Sequence, residues 1–295
     1  MLDLTFQQIT IDRIAIPVAV QKNIGISVLR LDKIHPVISG NKWFKLRYYI
    51  DEAVKQKKTI VTFGGAWSNH IIATAAASKR KGISCIGIIR GEEAPKLSPT
   101  LQSAKILGMK LIFVSREQYA QKKLPPSLSN GDYLLVNEGG YGEAGARGAS
   151  TITKYFNAEN YSHVCCSVGT GTMLAGLCNV IPESTKVIGI SVMKNNFALD
   201  NEVKHLLTTP GKAFTLLHNY HCGGYAKHGA ELISFMNQFY QQTAIPSDFV
   251  YTAKLFYAVN DLLEKDFFSS GNELLLIHSG GLQGNASLEK GTLIF

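Results

Sequence analysis

Residues 59–81 have the sequence TIVTFGGAWSNHIIATAAASKRK and form one complete strand–turn–helix unit. The β-branched run at 59–63 predicts a strand, and the segment 67–81 predicts a helix. Gly64 and Gly65 separate the two segments and allow the chain to turn sharply between them. A buried strand followed directly by a helix is the building unit of α/β proteins.

The same alternation of strands and helices continues through the chain. Strands are predicted at 26–31, 59–63, 84–89, 110–114, 133–136, 163–168, 186–192 and 273–278, and helices at 42–57, 67–81, 97–107, 145–156, 171–180 and 252–265. This spacing predicts an α/β protein with βαβ units, largely parallel sheet and helices on both sheet faces. The glycine-rich segment 137–148 is expected to be a crossover and an interdomain hinge.

The composition is that of an ordinary globular protein, and its length suits one large domain or two coupled domains. The 295 residues are 45% hydrophobic and 18% charged, with a formal net charge of +8. The basic residues are spread along the chain, and no nucleic-acid-binding motif is present. They are therefore expected to lie on the solvated faces of helices. No nucleic-acid partner is predicted.

The cysteines and the hydropathy pattern indicate a cytoplasmic protein. The five cysteines are odd in number and none has C-x-x-C spacing, which argues against a disulfide framework and against a zinc site. Residues 1–7 lack a basic and apolar signal pattern, and no apolar run reaches the ~18 residues of a membrane span. No metal and no membrane contact are therefore expected.

A lysine in the segment SGNKWFKL, residues 39–46, is the first candidate for chemistry. Lys42 is expected in the first turn of a helix capped by Asn41 or Ser39, where the positive helix end lowers the pKa of an amine. Lys45 lies three residues later on the same helix face, and position alone does not separate the two lysines.

Two glycine motifs at strand ends supply sites for anions. Ser68 and Asn69 open the helix after the first turn, but no G-x-S-x-G elbow is present, which removes the main support for a serine hydrolase. The segment 169–172 (GTGT) lacks the G-x-G-x-x-G spacing and the P-loop lysine, yet it is a good nest for one phosphate. An amine able to form a Schiff base, a polar turn and a phosphate nest together indicate a pyridoxal 5′-phosphate (PLP) site.

Six motifs in order resemble the 1-aminocyclopropane-1-carboxylate (ACC) deaminase / D-cysteine desulfhydrase family of PLP enzymes. They are SGNKWFKL at 39–46, GGAWSNH at 64–70, SVGTGTMLAG at 167–176, GGYAK at 223–227, DFVYTAK at 248–254 and HSGG at 278–281. The matches cover nearly the whole chain, and their shared order makes the resemblance specific.

The resemblance implies the tryptophan synthase β-like fold, also called fold type II. It has two open-sheet α/β domains of parallel strands flanked by helices, with PLP in the cleft between them. The large PLP-binding domain would comprise 1–45 and 148–295, and the small inserted domain would comprise 46–147. A homodimer is also implied.

The resemblance further implies a role for each motif residue. Lys42 would bind the cofactor covalently, Asn69 would hydrogen-bond its 3′-oxygen, and Ser68 would contact the substrate carboxylate or relay a proton. The phosphate would be held by Gly169, Thr170, Gly171 and Thr172. Tyr225 and Tyr251 would flank the cofactor ring and the substrate. Without the resemblance, the tyrosines and Ser279 would be ordinary core and turn residues.

Two departures from the ACC deaminase pattern indicate the D-cysteine desulfhydrase branch. Thr252 stands where ACC deaminases have a glutamate, and Ser279 stands where they have a leucine. A further, separate departure is Phe249, which stands where the family has proline. A hydroxyl facing the pyridine nitrogen would not hold it protonated as a carboxylate does, which favours elimination of a β-substituent. We expect D-cysteine to give pyruvate, ammonia and sulfide.

Three alternatives remain open from the sequence. The main prediction is a lyase or deaminase that acts on a small amino acid. Within that class, the alternative is ring opening of ACC, for which Ser68 and the tyrosines are the candidate catalytic residues. A PLP-binding protein without turnover belongs to a different class. An α/β binding protein without PLP is the third.

Overall fold

Ten strands form two separate sheets in the computed structural model, which describes residues 8–35, 37–128 and 131–295. The strands are β1 (Ile11–Ile14), β2 (Gly25–Arg30), β3 (Thr59–Gly64), β4 (Cys85–Arg90), β5 (Lys110–Val114), β6 (Tyr133–Val136), β7 (His163–Val168), β8 (Lys186–Ser191), β9 (Thr215–Leu217) and β10 (Glu273–His278). The α-helices are α1 (Pro17–Gln21), α2 (Asn41–Gln56), α3 (Asn69–Lys81), α4 (Pro99–Ile106), α5 (Arg116–Ala120), α6 (Glu143–Ser150), α7 (Thr172–Cys178), α8 (Leu199–Lys204), α9 (Ala230–Thr243) and α10 (Thr252–Glu264).

Both sheets are largely parallel, which confirms the predicted α/β fold class. The small sheet has the strand order β5-β4-β3-β6, with every pair parallel. The large sheet has the order β1-β2-β10-β7-β8-β9, and only β1 runs antiparallel to its neighbour β2. The carboxyl ends of parallel strands are where open α/β sheets bind ligands.

One hydrophobic core joins the two sheets, and a second covers the other face of the large sheet. Phe44 of α2 and Ala75 of α3 belong to the same buried cluster as Leu174 of α7, so helices on the inner faces hold the sheets together. Phe256 of α10 belongs to the second cluster with Ile26 of β2. Helices therefore lie on both faces of the large sheet, as strand–helix alternation predicts.

The small sheet lies within the predicted small domain, and helices cross both predicted domain limits. The limit between 45 and 46 falls inside α2, and the limit between 147 and 148 falls inside α6. Arg47 of α2 donates a hydrogen bond of 3.0 Å to Thr151 Oγ1, just after α6. The two helices thus form a packed connection between the sheets, and the exact domain limits stay a prediction.

Element boundaries differ modestly from the sequence-based ones, and six elements, five of them short, were not predicted. The helix predicted at 67–81 begins at Asn69, and the one predicted at 145–156 is α6 followed by a 3₁₀ helix at Thr151–Tyr155. The unpredicted elements are β1, β9, α1, α5, α8 and α9. The prediction made on residues 1–7 lies outside the described residues. Among those described, no helix combines the length and apolarity needed to cross a membrane.

Candidate active site

A cavity of about 510 Å³ contains most of the residues that the sequence analysis selected. It lies at the carboxyl ends of β3 and β4 in the small sheet and of β7 in the large sheet. The predicted site residues on its wall are Lys42, Ser68, Asn69, Gly169, Thr170, Gly171, Tyr225 and Tyr251. Its volume lies in the range of small-molecule sites.

Lys42 lies in the first turn of α2, with its amine buried in the cavity. Nζ donates a hydrogen bond of 2.8 Å to Asn41 Oδ1 and lies 5.5 Å from the ring centroid of Tyr251. Burial lowers the pKa of Lys42 to about 8, although the charge of Asp248 opposes this shift. An amine with this pKa is a usable nucleophile and base near neutral pH.

The predicted cap of α2 is wrong. The N-cap is Gly40, which makes no side-chain hydrogen bond to the helix, and Asn41 is the first helical residue. Gly40 has φ of 65°, and a Cβ there would lie 1.7 Å from the Ser279 carbonyl oxygen, so only glycine fits. The largest cause of the lowered pKa of Lys42 is burial.

Lys45 lines the same cavity, so the structure does not remove it as a competitor on position alone. It is fully enclosed, and burial together with the charge of Lys42 keeps the pKa of Lys45 well below its usual value. Lys42 differs because its amine lies over Tyr251, next to the second predicted tyrosine. Lys45 is thus a second buried amine in the cavity.

The turn after β3 delivers two polar side chains to the cavity. Ser68 caps α3, because its Oγ accepts a hydrogen bond of 3.3 Å from the Ile71 N–H. Asn69 is the first helical residue, and its Nδ2 donates to the Gly281 carbonyl over 3.4 Å. Among the described residues, the buried Asn69 Oδ1 has no hydrogen-bond partner. A buried orphan acceptor at a cavity wall is a contact point for a ligand.

His70 presents an unprotonated nitrogen on the same wall. Thr62 Oγ1 donates its single proton to the Val136 carbonyl over 2.7 Å, so the 2.8 Å contact with His70 Nε2 requires the imidazole to donate. Burial, and then the charges of Lys42 and Lys45, lower the pKa of His70 to about 3. His70 is therefore a neutral residue whose buried Nδ1 has no partner among the described residues. No sequence pattern distinguishes it from a core histidine.

The glycine motif after β7 forms a narrow loop before α7. Gly171 has φ of 78°, and a Cβ there would lie 2.7 Å from Val203. The Thr170 and Thr172 hydroxyls lie 2.9 Å apart. Backbone N–H groups in the first turn of a helix lack intrahelical acceptors, so they are available to an anion, and phosphate binding by this loop stays a prediction.

Tyr225 and Tyr251 meet at one side of the cavity. The Tyr251 hydroxyl donates to the Tyr225 hydroxyl over 3.4 Å, and the rings pack edge to face at 6.0 Å. Burial raises the pKa of both phenols. Lys254, unselected by the sequence analysis, holds the loop that carries Tyr225, because its Nζ donates a 2.7 Å hydrogen bond to the Gly224 carbonyl. Burial lowers the pKa of Lys254 to about 8.

Thr252 and Ser279 lie behind the cavity wall instead of lining it. Ser279 Oγ is 3.3 Å from the hydroxyl of Ser167, which does line the cavity. Thr252 is fully buried, and its backbone N–H donates to Asp248 Oδ1 over 3.0 Å. That either hydroxyl faces a pyridine nitrogen stays a prediction.

Asp248 is a buried carboxylate near the site that sequence reasoning missed. Its Oδ2 accepts hydrogen bonds from the backbone N–H groups of Val250 and Tyr251 at 3.0 and 2.8 Å. Burial raises the pKa of Asp248 against the opposing effect of these bonds. The position of this aspartate just before a predicted helix was a capping signal that could have identified it.

Three charged residues on the small-sheet side were also missed. Arg90 ends β4, and Lys122 forms an ion pair with Glu138 on the same wall. Arg90 follows the strand predicted at 84–89, so the strand-end rule that selected Ser68 would also have found it.

The residues of the cavity fit PLP. An amine with a lowered pKa, a buried orphan amide oxygen and a glycine loop that admits no side chain occur in one enclosed space. These are the parts needed for a covalent anchor, a ring contact and a phosphate cradle.

Comparisons with known proteins agree with this fit. The model of the family described as “Pyridoxal-phosphate dependent enzyme” matches residues 18–280. A Thermotoga maritima protein named “Putative 1-aminocyclopropane-1-carboxylate deaminase” is 31% identical over 286 residues, which cover 88% of this chain and 89% of that protein. The Arabidopsis thaliana “Bifunctional D-cysteine desulfhydrase/1-aminocyclopropane-1-carboxylate deaminase, mitochondrial” is 26% identical, over 84% of this chain and 70% of its own length.

A solved structure agrees in fold. The chain is similar to “Crystal Structure Analysis of the ACC deaminase homologue” with a TM-score of 0.83, at 24% identity, over 96% of this chain and 92% of that one. At this identity the likeness concerns the fold alone.

Proposed function

Because this chain belongs to the family of pyridoxal-phosphate dependent enzymes, we propose that it eliminates the β-substituent of D-cysteine. Similarity to both ACC deaminases and D-cysteine desulfhydrases makes it a lyase or deaminase for a small amino acid. The observation that carries the proposal is Lys42, a buried amine with a pKa of about 8 beside Tyr251 in the cavity of the glycine cradle.

Each residue near Lys42 has a place in this reaction. Lys42 would anchor the cofactor and, once free, take the proton from the α-carbon of the substrate. Ser68 and the free N–H groups at the start of α3 would hold the substrate carboxylate. Gly169–Thr172 would hold the phosphate, and Asn69 would contact the 3′-oxygen. When bound, PLP supplies the electron sink for the elimination.

The tyrosine pair would serve the departing group. The Tyr251 and Tyr225 hydroxyls lie 3.4 Å apart, and burial keeps both phenols protonated. A protonated phenol can donate to a thiolate as the bond between Cβ and sulfur breaks. D-cysteine and water would then give pyruvate, ammonia and hydrogen sulfide.

Neutral hydroxyls behind the ring favour D-cysteine over ACC. The oxygens of Asp248 are engaged by backbone N–H groups, including those of Tyr251 and Thr252, so this carboxylate is poorly available to a pyridine nitrogen. Ser167 on the wall, with Ser279 and Thr252 behind it, would then present only hydroxyls on the side of that nitrogen. A ring nitrogen without a carboxylate partner suits elimination more than opening a ring that lacks an α-proton.

The decisive test is a pyruvate assay on D-cysteine, D-serine and ACC with the holoenzyme. We expect a higher kcat/KM on D-cysteine than on ACC, and Thr252→Glu with Ser279→Leu should shift the preference toward ACC. A wild-type preference for ACC would contradict the proposal and support ACC deamination, which the name of the Thermotoga relative favours. A visible cofactor spectrum without pyruvate from any amino acid would indicate a PLP-binding protein without turnover.

We also propose a cytoplasmic homodimer. All five cysteines are free, and four of them are buried, which suits a reducing compartment. Sedimentation analysis of the holoenzyme tests the oligomeric state, and a monomer at micromolar concentration would contradict it.

A further inference from the structure

Three charged residues at the mouth of the cavity take no part in the proposed elimination. Arg90, Lys122 and Glu138 line the cavity that contains Lys42, on the side formed by the small sheet. Arg90 is the last residue of β4, and Glu138 follows β6, so both come from carboxyl ends of parallel strands. We call these three residues the rim.

The rim contains one more cation than it has anions to pair. Glu138 forms an ion pair with Lys122 Nζ at 2.5 Å. Arg90 forms no ion pair and no hydrogen bond through its side chain within residues 8–35, 37–128 and 131–295, and its side chain is exposed. A guanidinium offers five donors in a planar fork that matches a carboxylate. Arg90 therefore has its full donor set available to a ligand.

The rim cations are ordered by an aromatic ring and not merely solvated. Lys122 Nζ lies 3.6 Å from the ring centroid of Tyr119, and the Arg90 guanidinium carbon lies 5.9 Å from the same centroid. Tyr119 is buried and packs edge to face on Phe63 of β3.

The Arg90 guanidinium lies beside the turn that carries Ser68 to the cavity. A Cβ built on Gly65 would be 3.7 Å from Arg90 Nη2, and Gly65 precedes Ser68 by three residues. Burial is the main cause of the raised pKa of Tyr225, and the charges of Glu138 and Arg90 also influence it. A substituent that extends from the substrate β-carbon toward the mouth would meet this guanidinium.

We propose that the rim recognises a second anionic group on the β-substituent of the substrate, with Arg90 as the specificity-determining residue. This inference rests on the proposed function. The substrate class is a β-substituted amino acid whose leaving group ends in a carboxylate. In the balanced reaction the α-proton and the Cβ–S bond are lost and sulfur takes the electron pair and a proton. With one water, the products are the carboxylated thiol, pyruvate and ammonia.

Two isosteric compounds test the charge of the leaving group alone. S-carboxymethyl-D-cysteine and its amide, S-carbamoylmethyl-D-cysteine, differ only in that charge. The wild-type holoenzyme should show a kcat/KM about tenfold higher on the acid, the size expected for one partly exposed charge-assisted hydrogen bond. Arg90→Gln should remove this preference and leave kcat/KM on D-cysteine within about twofold. Arg116→Gln is the matched control, because it removes an exposed arginine that does not line the cavity.

Calorimetric titration of the holoenzyme with the same two compounds decides the inference even without turnover. The inference is supported if the wild type binds the acid more tightly than the amide, and if this difference is lost in Arg90→Gln and retained in Arg116→Gln. Equal binding of acid and amide by wild type overturns it. The inference is also overturned if Arg90→Gln weakens binding of the acid, the amide and D-cysteine equally. Arg90 would then bind the α-carboxylate that all three compounds share. Failure of D-cysteine turnover alone contradicts the proposed function and leaves the binding result to decide the rim.

Discussion

The floor of the cavity and its rim hold charge in opposite ways. We call Lys42, Lys45 and Tyr251, with the nearby Asp248, the floor. Burial there favours the neutral forms, because it lowers the pKa of Lys42 and Lys45 and raises the pKa of Asp248 and Tyr251. At the rim, Arg90 and Lys122 are exposed to solvent. Neutral groups with shifted pKa values suit proton transfer, whereas exposed charges suit recognition. The comparison implies large effects on all substrates from floor changes and small, substrate-dependent effects from rim changes.

The largest effect is expected from Lys42→Ala. This change removes both the covalent anchor and the base, so turnover of every substrate should fall by at least about a thousandfold. Lys55→Ala, in the last turn of α2, is the control and should keep wild-type activity. Borohydride reduction and peptide mapping of the wild type should find the pyridoxyl group on Lys42. A label on Lys45 would transfer the role of anchor to that residue.

The pH dependence of cofactor capture tests burial on the floor directly. Only the neutral amine reacts, and a pKa of about 8 in place of 10.5 raises the neutral fraction at pH 7 by about two orders of magnitude. The rate at which cofactor-free protein develops the visible absorbance of bound PLP should therefore rise with pH and level off above about pH 8. A rate still increasing steeply at pH 10 would show that the amine is not desolvated.

Gly171 separates steric from electrostatic effects in the phosphate cradle. Gly171→Ala and Gly171→Asp share the positive φ and the close contact with Val203, but only aspartate places a charge beside the phosphate. We expect Kd for PLP to be about tenfold or more higher in the aspartate variant than in the alanine variant. Equilibrium dialysis measures this, and equal Kd values would locate the phosphate elsewhere.

Lys254→Met tests whether the floor depends on a residue that does not touch the substrate. Losing the hydrogen bond to the Gly224 carbonyl should loosen the loop of Tyr225 and lower kcat by about tenfold, with a smaller change in PLP content. Lys265→Met, at the exposed end of α10, is the control. Partial recovery in Lys254→Arg would support a positioning role, and an equal loss of PLP content and kcat would indicate general disruption.

The smallest effect is expected at the rim from Lys122→Gln. The Lys122–Glu138 pair is about half exposed, so its loss should change stability by less than about 1 kcal/mol. Freed Glu138 would repel an anionic substituent, and KM for S-carboxymethyl-D-cysteine should rise about two- to fivefold with D-cysteine unchanged. Thermal unfolding and steady-state kinetics measure both. A large loss on D-cysteine would erase the distinction between floor and rim.

Local sequence patterns were sufficient for most of the scaffold. Continuous β-branched runs predicted the central strands of both sheets to within a residue or two, because a buried parallel strand needs apolar residues on both faces. The edge strands β1 and β9 are only four and three residues long and carry little pattern. Helix α9 was missed because it is rich in aromatic residues and begins after Gly229 without a side-chain cap.

The sequence alone determined the fold class, the candidate lysines and the polar glycine motifs, because each depends on residues adjacent in the chain. Only the tertiary structure showed that Lys42 and Lys45 share one cavity with the Tyr225–Tyr251 pair. Only the structure showed that Thr252 lies behind the wall of this cavity and that Arg90 lies at the mouth of the cavity. These properties depend on which strand ends meet and on how much water they exclude. Burial, the largest cause of the lowered pKa of Lys42, is a property of the packed molecule and has no local signature in the chain.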